Sequence, residues 1–582
     1  MKLLNLLKNT ITLFYRSMKR FPITLLFSTA VAVMLITISE LQPINNRDLQ
    51  ETLIRITMIF ALGIPISLCL KLWWERKENR TVLESLGYVI TGCIILILYY
   101  HFLLDELSMV SITRYTGVNL AFYLGFLFIP YLPRKDHFEM YIIKLGTGLI
   151  ITVVYIAVLF MGLAAILFTL NALLGVPVPE KLYSYTGIIL GCVFAPAYFL
   201  AGIPLKDHSL EDENYLTVLK ALLLYIVIPL LTAYTTILYI YFIKIIVSWE
   251  WPSGLVSHLV LWYALIVTAV LFLITPLRDE NKLANIFSKW MPIIILPLLI
   301  MMFISMGIRI NAYGVTENRY YVVVMGLWVF GIMVYYSLIK KPLNILLPVS
   351  LAIIALLSVL GPLSSYSIST FSQNNRLEAI LLKNNMLVDG KIQPAPADIS
   401  KEDKIEISGI LAYFNTQHDL SDIRYLPEGF EMNDMEEVFG FPYEEPDLTA
   451  PEDFFFFTRN EAEVGAVDIK EYDYMFDAGI LYYGMTADHE LKADFDEESG
   501  ILRISKQGAL LYEKDLNSFI KDLLEKHGGQ KDNLSSEEMT LADENDKIKV
   551  KISFKNIHGN RDAVTGKIML NGFEGYLFVK IK

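Results

Sequence analysis

The feature that most constrains this chain is a succession of apolar segments, each near the ~20 residues that a helix needs to cross a bilayer. The last of them, Leu343–Leu360, follows the basic pair Lys340-Lys341 and ends at Gly361-Pro362. Beyond it the composition becomes acidic and water-soluble. The sequence therefore predicts an α-helical polytopic membrane protein followed by an extracytoplasmic α+β domain.

By length and apolar content we predict about eleven transmembrane helices. They cover Phe21–Ile38, Leu53–Leu70, Leu86–Leu104, Tyr115–Leu132, Leu145–Leu173, Tyr183–Ile203, Ala221–Val247, Leu255–Pro276, Trp290–Ile308, Tyr321–Ile339 and Leu343–Leu360. The fifth and the seventh are long, so we expect them to tilt or protrude.

Composition supports this class and divides the chain by charge. Of the 582 residues, 54% are hydrophobic and 19% charged, against about 25% charged in an average soluble protein. Residues 362–582 hold 23 Lys and Arg against 42 Asp and Glu, a net charge of −19, whereas the rest carries +7. An acidic domain of this kind could not neutralise phosphates, so we expect no nucleic-acid partner.

Basic residues in alternate loops indicate the orientation. One set of loops collects Lys71, Arg76, Lys77, Arg80, Arg134, Lys135, Lys144, Lys206, Lys220, Arg278, Lys282, Lys289, Lys340 and Lys341. The other set has only Arg47, Arg114, Lys181, Lys244, Arg309 and Arg319. The N-terminus is therefore predicted in the cytoplasm, and an odd number of spans places the C-terminal domain outside.

The predicted organisation has four parts. Residues 1–20 form a basic amphipathic helix on the cytoplasmic face, and residues 21–361 form the transmembrane domain. Residues 362–398 are a linker and a first helix, and residues 399–582 are the soluble α+β domain.

Local patterns predict the elements of the exported part. A helix covers about Gln373–Met386, and a second starts at Ser400, where Ser400-x-x-Asp403 resembles a capping box. Lys547–Phe554 alternates as a strand, and Asn571-Gly572 favours a hairpin turn.

Two further patterns follow in the same part. Glu513–His527 is predicted as an amphipathic helix that stops at Gly528-Gly529. Gln530–Asp546 is acidic and poor in large apolar residues, so we expect a mobile loop there.

Short motifs after the last span carry a family resemblance. Ser372-Gln373, Arg376-Leu377, the run from Asn384 to Ile392 and the later Tyr472-Asp473-Tyr474 resemble the bacterial membrane proteins of domain-of-unknown-function family 4153 (DUF4153). The likeness covers nearly the whole chain. It implies a bacterial cytoplasmic (inner) membrane protein, and it brings no established activity or catalytic residues.

Sequence motifs of catalysis and metal binding are absent. The chain has no phosphate-binding glycine loop, no HExxH and no CxxC, and its eight histidines are not clustered. The acidic runs Glu436–Asp453 and Asp488–Glu498 lack the EF-hand pattern. Mid-span positions carry no charged residue, which argues against an ion-coupled carrier. We predict no catalytic residues, no metal site and no cofactor.

One face of the seventh span is the candidate ligand-binding site. Tyr225, Pro229, Thr232, Thr236 and Tyr239 recur every three or four residues and share a helical face. They predict a groove for a lipid or small molecule, with Pro229 loosening the helix. The alternative is helix–helix packing through threonine hydroxyls and tyrosine rings.

Two aromatic stretches have competing interpretations. Trp249-Glu250-Trp251 is either part of the interfacial aromatic belt or a head-group site. Phe454–Phe457 is either a strand buried on both faces in a sandwich-like core or an exposed patch for a membrane or partner. We favour the belt and the buried strand.

Three functions fit this plan. The first is a non-enzymatic envelope platform that displays an interaction or sensing domain outside the cell, with the bilayer and an envelope protein or lipid as partners. The second is a transferase that uses lipid-linked donors, with Glu40, Asp48 and Glu51 in the first external loop but no paired DxD. The third is a transporter or flippase of an uncharged or lipidic substrate. We adopt the first.

Overall fold

The computed structural model describes most of the chain. The described residues are 14–41, 47–77, 81–132, 137–174, 176–204, 215–248, 255–444, 454–460, 469–482, 490–496, 499–527, 530–561 and 568–582. Within it the chain forms two compact units, Met1–Glu444 and Glu445–Lys582. Residues 1–13 of the predicted surface helix, and Trp249, Glu250 and Trp251, lie outside the described residues.

The first unit begins with a series of long apolar helices. They are α1 (Pro22–Leu41), α2 (Arg47–Glu75), α3 (Val82–Phe102), α4 (Met109–Phe128), α5 (Phe138–Leu174), α6 (Lys181–Ala201), α7 (Thr217–Ser248), α8 (Leu255–Ile274), α9 (Lys282–Tyr313), α10 (Glu317–Leu338) and α11 (Leu346–Val359). Two of them contain one π-helical turn each, Leu190–Phe194 in α6 and Leu223–Val227 in α7.

Each predicted span falls on one of these helices. In the part of the chain that the structure describes, nine helices are long and apolar enough to cross a membrane. In the two remaining helices, α3 and α11, the apolar stretches are shorter and cover Leu86–Phe102 and Leu346–Val359. The membrane-protein class is thereby supported, whereas eleven crossings stay a prediction.

Ion pairs join the ends of neighbouring helices at both ends of the bundle. At the first end Arg20, just before α1, pairs with Glu75 at the end of α2 (2.9 Å). At the second end Lys181 at the start of α6 pairs with Glu40 in the last turn of α1 (2.9 Å). Helix α1 therefore runs in the direction opposite to α2 and to α6.

Glycine allows two of the helices to approach closely. A Cβ added at Gly117 of α4 would lie 2.5 Å from the side chain of Val359 in α11. Small residues permit such backbone approach in apolar bundles, where van der Waals packing drives association. Gly117 thus fixes α11 against α4.

A helical module (residues 365–444) completes the first unit. It comprises α12 (Ser365–Lys383), β1 (Leu387–Val388), β2 (Lys391–Ile392), α13 (Lys401–Gln417) and α14 (Met435–Phe439). Ser400 accepts from the Asp403 backbone N–H (3.2 Å), which confirms the predicted cap. Helix α12 starts earlier than predicted because Ser364 caps it, accepting from the Ser367 N–H.

The second unit is rich in β-strands. Its elements are β3 (Phe454–Arg459), β4 (Tyr474–Asp477), α15 (Ala478–Tyr482), β5 (Leu491–Asp496), β6 (Ile501–Lys506), β7 (Ala509–Asp515), α16 (Leu516–His527), β8 (Gln530–Leu534), β9 (Thr540–Glu544), β10 (Ile548–Arg561) and β11 (Ile568–Ile581). One described sheet has the order β4-β11-β10-β3-β8 with β9 also on β10, and the other is β5-β6-β7. All pairs are antiparallel except β3 with β8.

The core of the second unit confirms several predictions. Ile548, Val550, Ile552 and Phe554 of β10 are all buried, as their alternation predicts. The four phenylalanines form a strand in which Phe455 and Phe457 are buried, while the other two are half-buried. The run is therefore confirmed as a strand of the core, but the prediction that both of its faces are buried is wrong, because only the face of Phe455 and Phe457 is buried.

The hairpin predicted at Asn571-Gly572 is wrong. Both residues lie inside β11, where His558 faces Gly572 and Gly559 faces Leu570, so Asn571 is the extra residue of a bulge. A Cβ at Gly572 would lie 2.7 Å from the His558 ring. The glycine serves a close approach of two strands instead of a turn.

The loop predicted at Gln530–Asp546 is also wrong. Strand β8 pairs with β3 and strand β9 pairs with β10. Their polar composition reflects their positions, since β8 ends the sheet and β9 pairs with β10 alone among the described strands. Edge strands of this kind bury few side chains.

The boundary between the two units lies further along the chain than the change in composition. Charge and hydropathy change at residue 362, and the predicted domain starts at residue 399, whereas the compact units divide between Glu444 and Glu445. The cause is the helical module, whose polar helix α12 packs against α10. The four-part division made from sequence stays a prediction.

Candidate functional site: a buried cluster around Glu317

The residues predicted to bind a ligand lie on one mostly exposed face of α7. Tyr225 is 72% exposed. The Thr232 hydroxyl donates to the carbonyl of Ile228 (2.8 Å), and that of Thr236 donates to the carbonyl of Thr232 (3.1 Å). Both threonines thus bond within their own helix.

Tyr239, the fourth predicted binding residue, contacts a neighbouring helix. Its hydroxyl donates to the carbonyl of Ile294 in α9 (2.6 Å). The structure thus brings Tyr225, Thr232 and Thr236 onto the outside of the bundle and places Tyr239 at its edge. Their role in ligand binding stays a prediction.

The most developed polar site among the described residues lies where α10 meets the helical module. It is the Glu317 cluster (Glu317, Ser369, Thr370, Tyr413 and His418). The Glu317 carboxylate accepts from the Tyr413 hydroxyl (2.6 and 2.7 Å), from His418 Nε2 (2.8 Å) and from the Ser369 hydroxyl. One carboxylate thus receives donors from both α12 and α13 and from the residue after α13.

The turn between α9 and α10 positions this carboxylate. Gly314 adopts φ +68°, and a Cβ there would lie 2.8 Å from the Gln373 amide nitrogen. That amide donates to the carbonyls of Tyr313 and Val315 (3.1 and 3.0 Å), while the Ser372 hydroxyl accepts from the Val315 N–H (2.9 Å). Helix α12 therefore docks directly on the turn.

His418 is held on both ring nitrogens. Its side chain is 2% exposed, and Thr370 Oγ lies 3.2 Å from Nδ1. The rings of Tyr366 and Phe414 lie 5.1 and 5.3 Å from the imidazole. Because the ionised carboxylate only accepts, Nε2 carries the hydrogen that points to Glu317.

Burial and the hydrogen bond to Glu317 raise the pKa of Tyr413 above its ordinary value. The phenol therefore stays protonated and keeps donating to the carboxylate at any physiological pH. The cluster thus has donors for each carboxylate oxygen, which is what a buried charge requires.

The geometry differs from that of a nucleophilic triad. A triad places the nucleophile on the imidazole and the carboxylate on the opposite ring nitrogen. Here Ser369 is fully buried and donates to the carboxylate itself, and Glu317 sits at Nε2. The arrangement is built to hold α10, α12 and α13 together.

A second polar centre ties helices together at the first end of the bundle. Asn344, 2% exposed, donates to Glu139 Oε1 (2.5 Å) and to the Thr275 hydroxyl (3.0 Å). Its carbonyl oxygen accepts from the Tyr336 hydroxyl (2.7 Å). This amide joins the start of α11 to α5, to α10 and to the end of α8.

No group of three or more His, Cys, Asp or Glu close enough to hold a metal ion occurs among the described residues. The Glu317 cluster contains one acid and one histidine, and its other oxygen atoms are hydroxyls. The Ser369 and Tyr413 hydroxyls donate to the carboxylate, which suits a hydrogen-bonded ion better than a metal site.

Sequence reasoning did not find the Glu317 cluster. Glu317 and His418 are 101 residues apart, so no local spacing joins them. A lone histidine is more often a satisfied core group, and His418 is one. The available signal was a carboxylate at the start of a predicted span.

Together these observations define a class, a helical protein of the membrane type whose bundle carries a tightly held polar module. Within that class the chain belongs to the family described as a domain of unknown function, DUF4153, whose model matches residues 24–393. The match ends inside the helical module, after α12 and the β1–β2 pair. The predicted family is therefore confirmed. The match is shorter than the predicted likeness over nearly the whole chain, and it does not include Tyr472-Asp473-Tyr474.

One relative is an uncharacterized protein of Pasteurella multocida (strain Pm70). It is 25% identical over 283 residues, which cover 48% of this chain and 46% of the relative. The chain thus aligns with about half of that protein's length. No solved structure matches the chain.

Proposed function

We propose that this chain is a non-enzymatic membrane platform that displays its second unit outside the cell. The observation that carries the proposal is the Glu317 cluster. It fastens the helical module to the end of α10 through a buried, fully hydrogen-bonded carboxylate, so that membrane helices and module move as one body. The acidic β-rich unit follows this module in the chain.

The proposed placement is a bacterial cytoplasmic (inner) membrane, with the N-terminus in the cytoplasm and the C-terminal unit outside. The basic loops at the first end of the bundle support this placement. The contacts between helix ends support it too, because the alternation of predicted spans assigns the paired ends to the same side of the membrane. The bacterial source of the relative agrees with it. The partners are the bilayer and an envelope protein or lipid, with no role for nucleic acid.

Two of the three acids of the first predicted external loop, Glu40 and Glu51, do not favour the transferase alternative. Glu40 accepts from Lys181 and from the Tyr185 hydroxyl. Glu51 accepts from the Leu107 backbone N–H (3.2 Å). Acids with such structural partners are poorly suited to bind a metal–donor complex.

Side-specific labelling tests the placement. Glu525 in α16 is 70% exposed, and Glu280 between α8 and α9 is 67% exposed. Each is changed to cysteine in a chain whose Cys69, Cys93 and Cys192 are replaced by alanine. Intact cells, or spheroplasts where an outer membrane is present, are treated with a membrane-impermeant maleimide.

We expect labelling of the Glu525→Cys variant in intact cells and of the Glu280→Cys variant only after lysis. The two sites are equally accessible on the protein, so a difference reports the side of the membrane. Labelling in the reverse order would place the second unit in the cytoplasm and remove the platform proposal.

A further inference from the structure

Two cavities open on either side of a single residue of α4. One, about 630 Å³, lies among α1, α2, α4, α5 and α6, and the other, about 310 Å³, lies among α4, α10 and α11. Leu120 lines both and is 46% exposed. The two spaces are therefore neighbours along α4 that share Leu120 in their linings. Together they are here called the α4 groove, and each cavity is one half of it.

One stripe of α4 forms the floor of the groove. Thr113, Thr116 and Leu120 line the smaller half, and Leu120, Tyr123 and Leu127 line the larger half. The intervals are three or four residues, so these side chains share a face. From Thr113 to Leu127 the stripe is roughly 21 Å long at 1.5 Å per residue.

The two halves differ in polarity. The smaller half has hydroxyls from Thr113, Thr116, Tyr321 and Ser358. The Thr113 hydroxyl also forms a hydrogen bond with the Tyr366 hydroxyl (2.8 Å). The ring of Tyr366 in turn contacts His418 of the Glu317 cluster. This hydroxyl rim therefore lies next to the site that holds the helical module.

The larger half is almost wholly apolar. Its far wall is a stripe of α5 that includes Ile142, Gly146, Leu149 and Val153. Leu149 and Val153 are more than half exposed, so this half also opens sideways. A Cβ at Gly146 would meet nothing within 4 Å, because the glycine leaves room inside the groove.

The wall from α6 contains an irregularity. The π-helical turn Leu190–Phe194 directly precedes Ala195 and Pro196, and both of these residues line the larger half. π-turns inside helices occur frequently at functional sites. The π-helical turn contains one residue more than an α-helical turn and therefore widens α6 next to the groove.

We propose that the α4 groove binds one bilayer lipid with an uncharged, hydroxyl-bearing head, of the diacylglycerol kind. The head bonds the rim of Thr113, Thr116, Tyr321 and Ser358, and an acyl chain follows α4 into the larger half. The described residues that line the two halves include no charged side chain, so the partners that the lining itself offers to a head group are hydroxyls. The size fits the ~300–1,000 Å³ typical of ligand sites.

The inference goes beyond the platform proposal and rests only on its membrane placement. It assigns the rim, next to Tyr366 and His418, as the place where a lipid head contacts the module-bearing end of the bundle. The sidedness of the second unit does not enter, so the labelling result above and the test below are independent.

Photo-crosslinking of the full chain tests the proposal. The protein is placed in phosphatidylcholine nanodiscs that contain a diacylglycerol with a diazirine in one acyl chain, and cross-linked peptides are mapped. We compare Gly146→Leu, which fills the groove, with Gly148→Leu on the same helix. Gly148 also has nothing within 4 Å of an added Cβ, and it lies outside the groove lining.

We expect cross-links in the α4 and α5 stripes for the wild type and for Gly148→Leu, and on the order of tenfold fewer for Gly146→Leu, a difference of ~1.4 kcal/mol in binding. Both variants should keep the wild-type melting temperature. Equal cross-linking in the two variants, or cross-links spread evenly over the exposed faces of α5, would overturn the proposal.

A second comparison tests the head group. The same diazirine chain on phosphatidylglycerol should label the stripes severalfold less than on diacylglycerol, and Thr116→Val should reduce the diacylglycerol signal without affecting the melting temperature. Equal labelling by both lipids would overturn the assignment of an uncharged head.

Discussion

Glu317 occupies a position where several weak effects act in the same direction. It is in the first turn of α10, where the helix dipole favours a negative charge. Three donors from the helical module point at its carboxylate, and the side chain is only 15% exposed. A charge with this many partners is costly to disturb because its neighbours lose their acceptor.

We therefore expect Glu317→Gln to destabilise the first unit by about 3 kcal/mol. Glutamine keeps the shape, removes the charge and brings two N–H donors that face other donors. Thermal unfolding of the purified full chain measures the change.

Glu378→Gln in α12 is the matched control. Glu378 is 31% exposed and lies 3.5 Å from Arg424, so its loss should cost less than about 1 kcal/mol. Equal destabilisation by the two changes would show that Glu317 has no special role in holding the module.

A second carboxylate, in the second unit, makes the stability of that unit depend on pH in the acidic range. Glu538 accepts from Lys526 (2.6 Å) and from the hydroxyl and N–H of Ser535 (3.0 and 3.2 Å). The hydrogen bond from Lys526 and those from Ser535 lower the pKa of Glu538 from 4.5 to about 2. His527 Nε2 lies 3.2 Å from Glu538 Oε1.

Because the folded-state pKa is depressed, the contribution of Glu538 is complete above pH 4.5 and is lost as the pH falls toward 2. We expect Glu538→Gln to flatten the pH dependence of unfolding in that window, measured by acid titration of the full chain. Glu525→Gln, at a 70% exposed position, should leave the profile unchanged. A wild-type profile in Glu538→Gln would contradict the prediction.

At the residue scale the sequence tells which groups are unusual but not which of them meet. Ser400 as a cap could be read locally, because the donor it receives is three residues away. Glu317 and His418 could not be paired, since the chain between them has to fold first. The same holds for Asn344, whose partner Glu139 is 205 residues distant.

Among the elements, apolar runs were the most reliable signal and turn motifs the least. A span is recognised from its own composition, and all eleven predicted segments coincide with helices. The hairpin prediction at Asn571-Gly572 was wrong because the same dipeptide suits both a turn and a bulge. Only the partner strand decides between them, and here His558 lies against the glycine.

The pair β10–β11 also contains a glycine that no other residue could replace. Gly575 has φ +155°, and a Cβ there would lie 2.2 Å from the carbonyl oxygen of Ser553. We expect Gly575→Ala to destabilise the second unit by about 3 kcal/mol, because both the backbone angle and the contact are unfavourable.

Gly508, in the turn between β6 and β7, provides the control. It has φ +84° but open space around an added Cβ, so Gly508→Ala should cost only about 1 kcal/mol. Denaturant unfolding of the full chain compares the two variants. An effect at Gly508 as large as that at Gly575 would mean that the backbone angle alone, not the contact with Ser553, sets the cost.

For the whole molecule, composition and packing divide the chain at different places. The change in charge at residue 362 is visible in the sequence, but the compact units divide after Glu444. Residues 365–444 have the polarity of a soluble segment and pack with the apolar helices. Composition reports the solvent a segment meets, whereas the unit to which it belongs depends on contacts such as that of Glu317 with Tyr413.

The lengths of two helices beside the α4 groove have a consequence for the bilayer itself. Helix α11 has 14 residues and is roughly 21 Å long, whereas α5 has 37 residues and is roughly 55 Å long. In the proposed membrane placement, one is shorter and the other longer than the ~30 Å hydrocarbon core. With α11 as a span, we expect the bilayer to be thinner beside α11, and we expect α5 to tilt, protrude or thicken the bilayer around it. The proposed placement therefore predicts a gradient of bilayer thickness across the surface of the protein, with the mouth of the groove on that gradient.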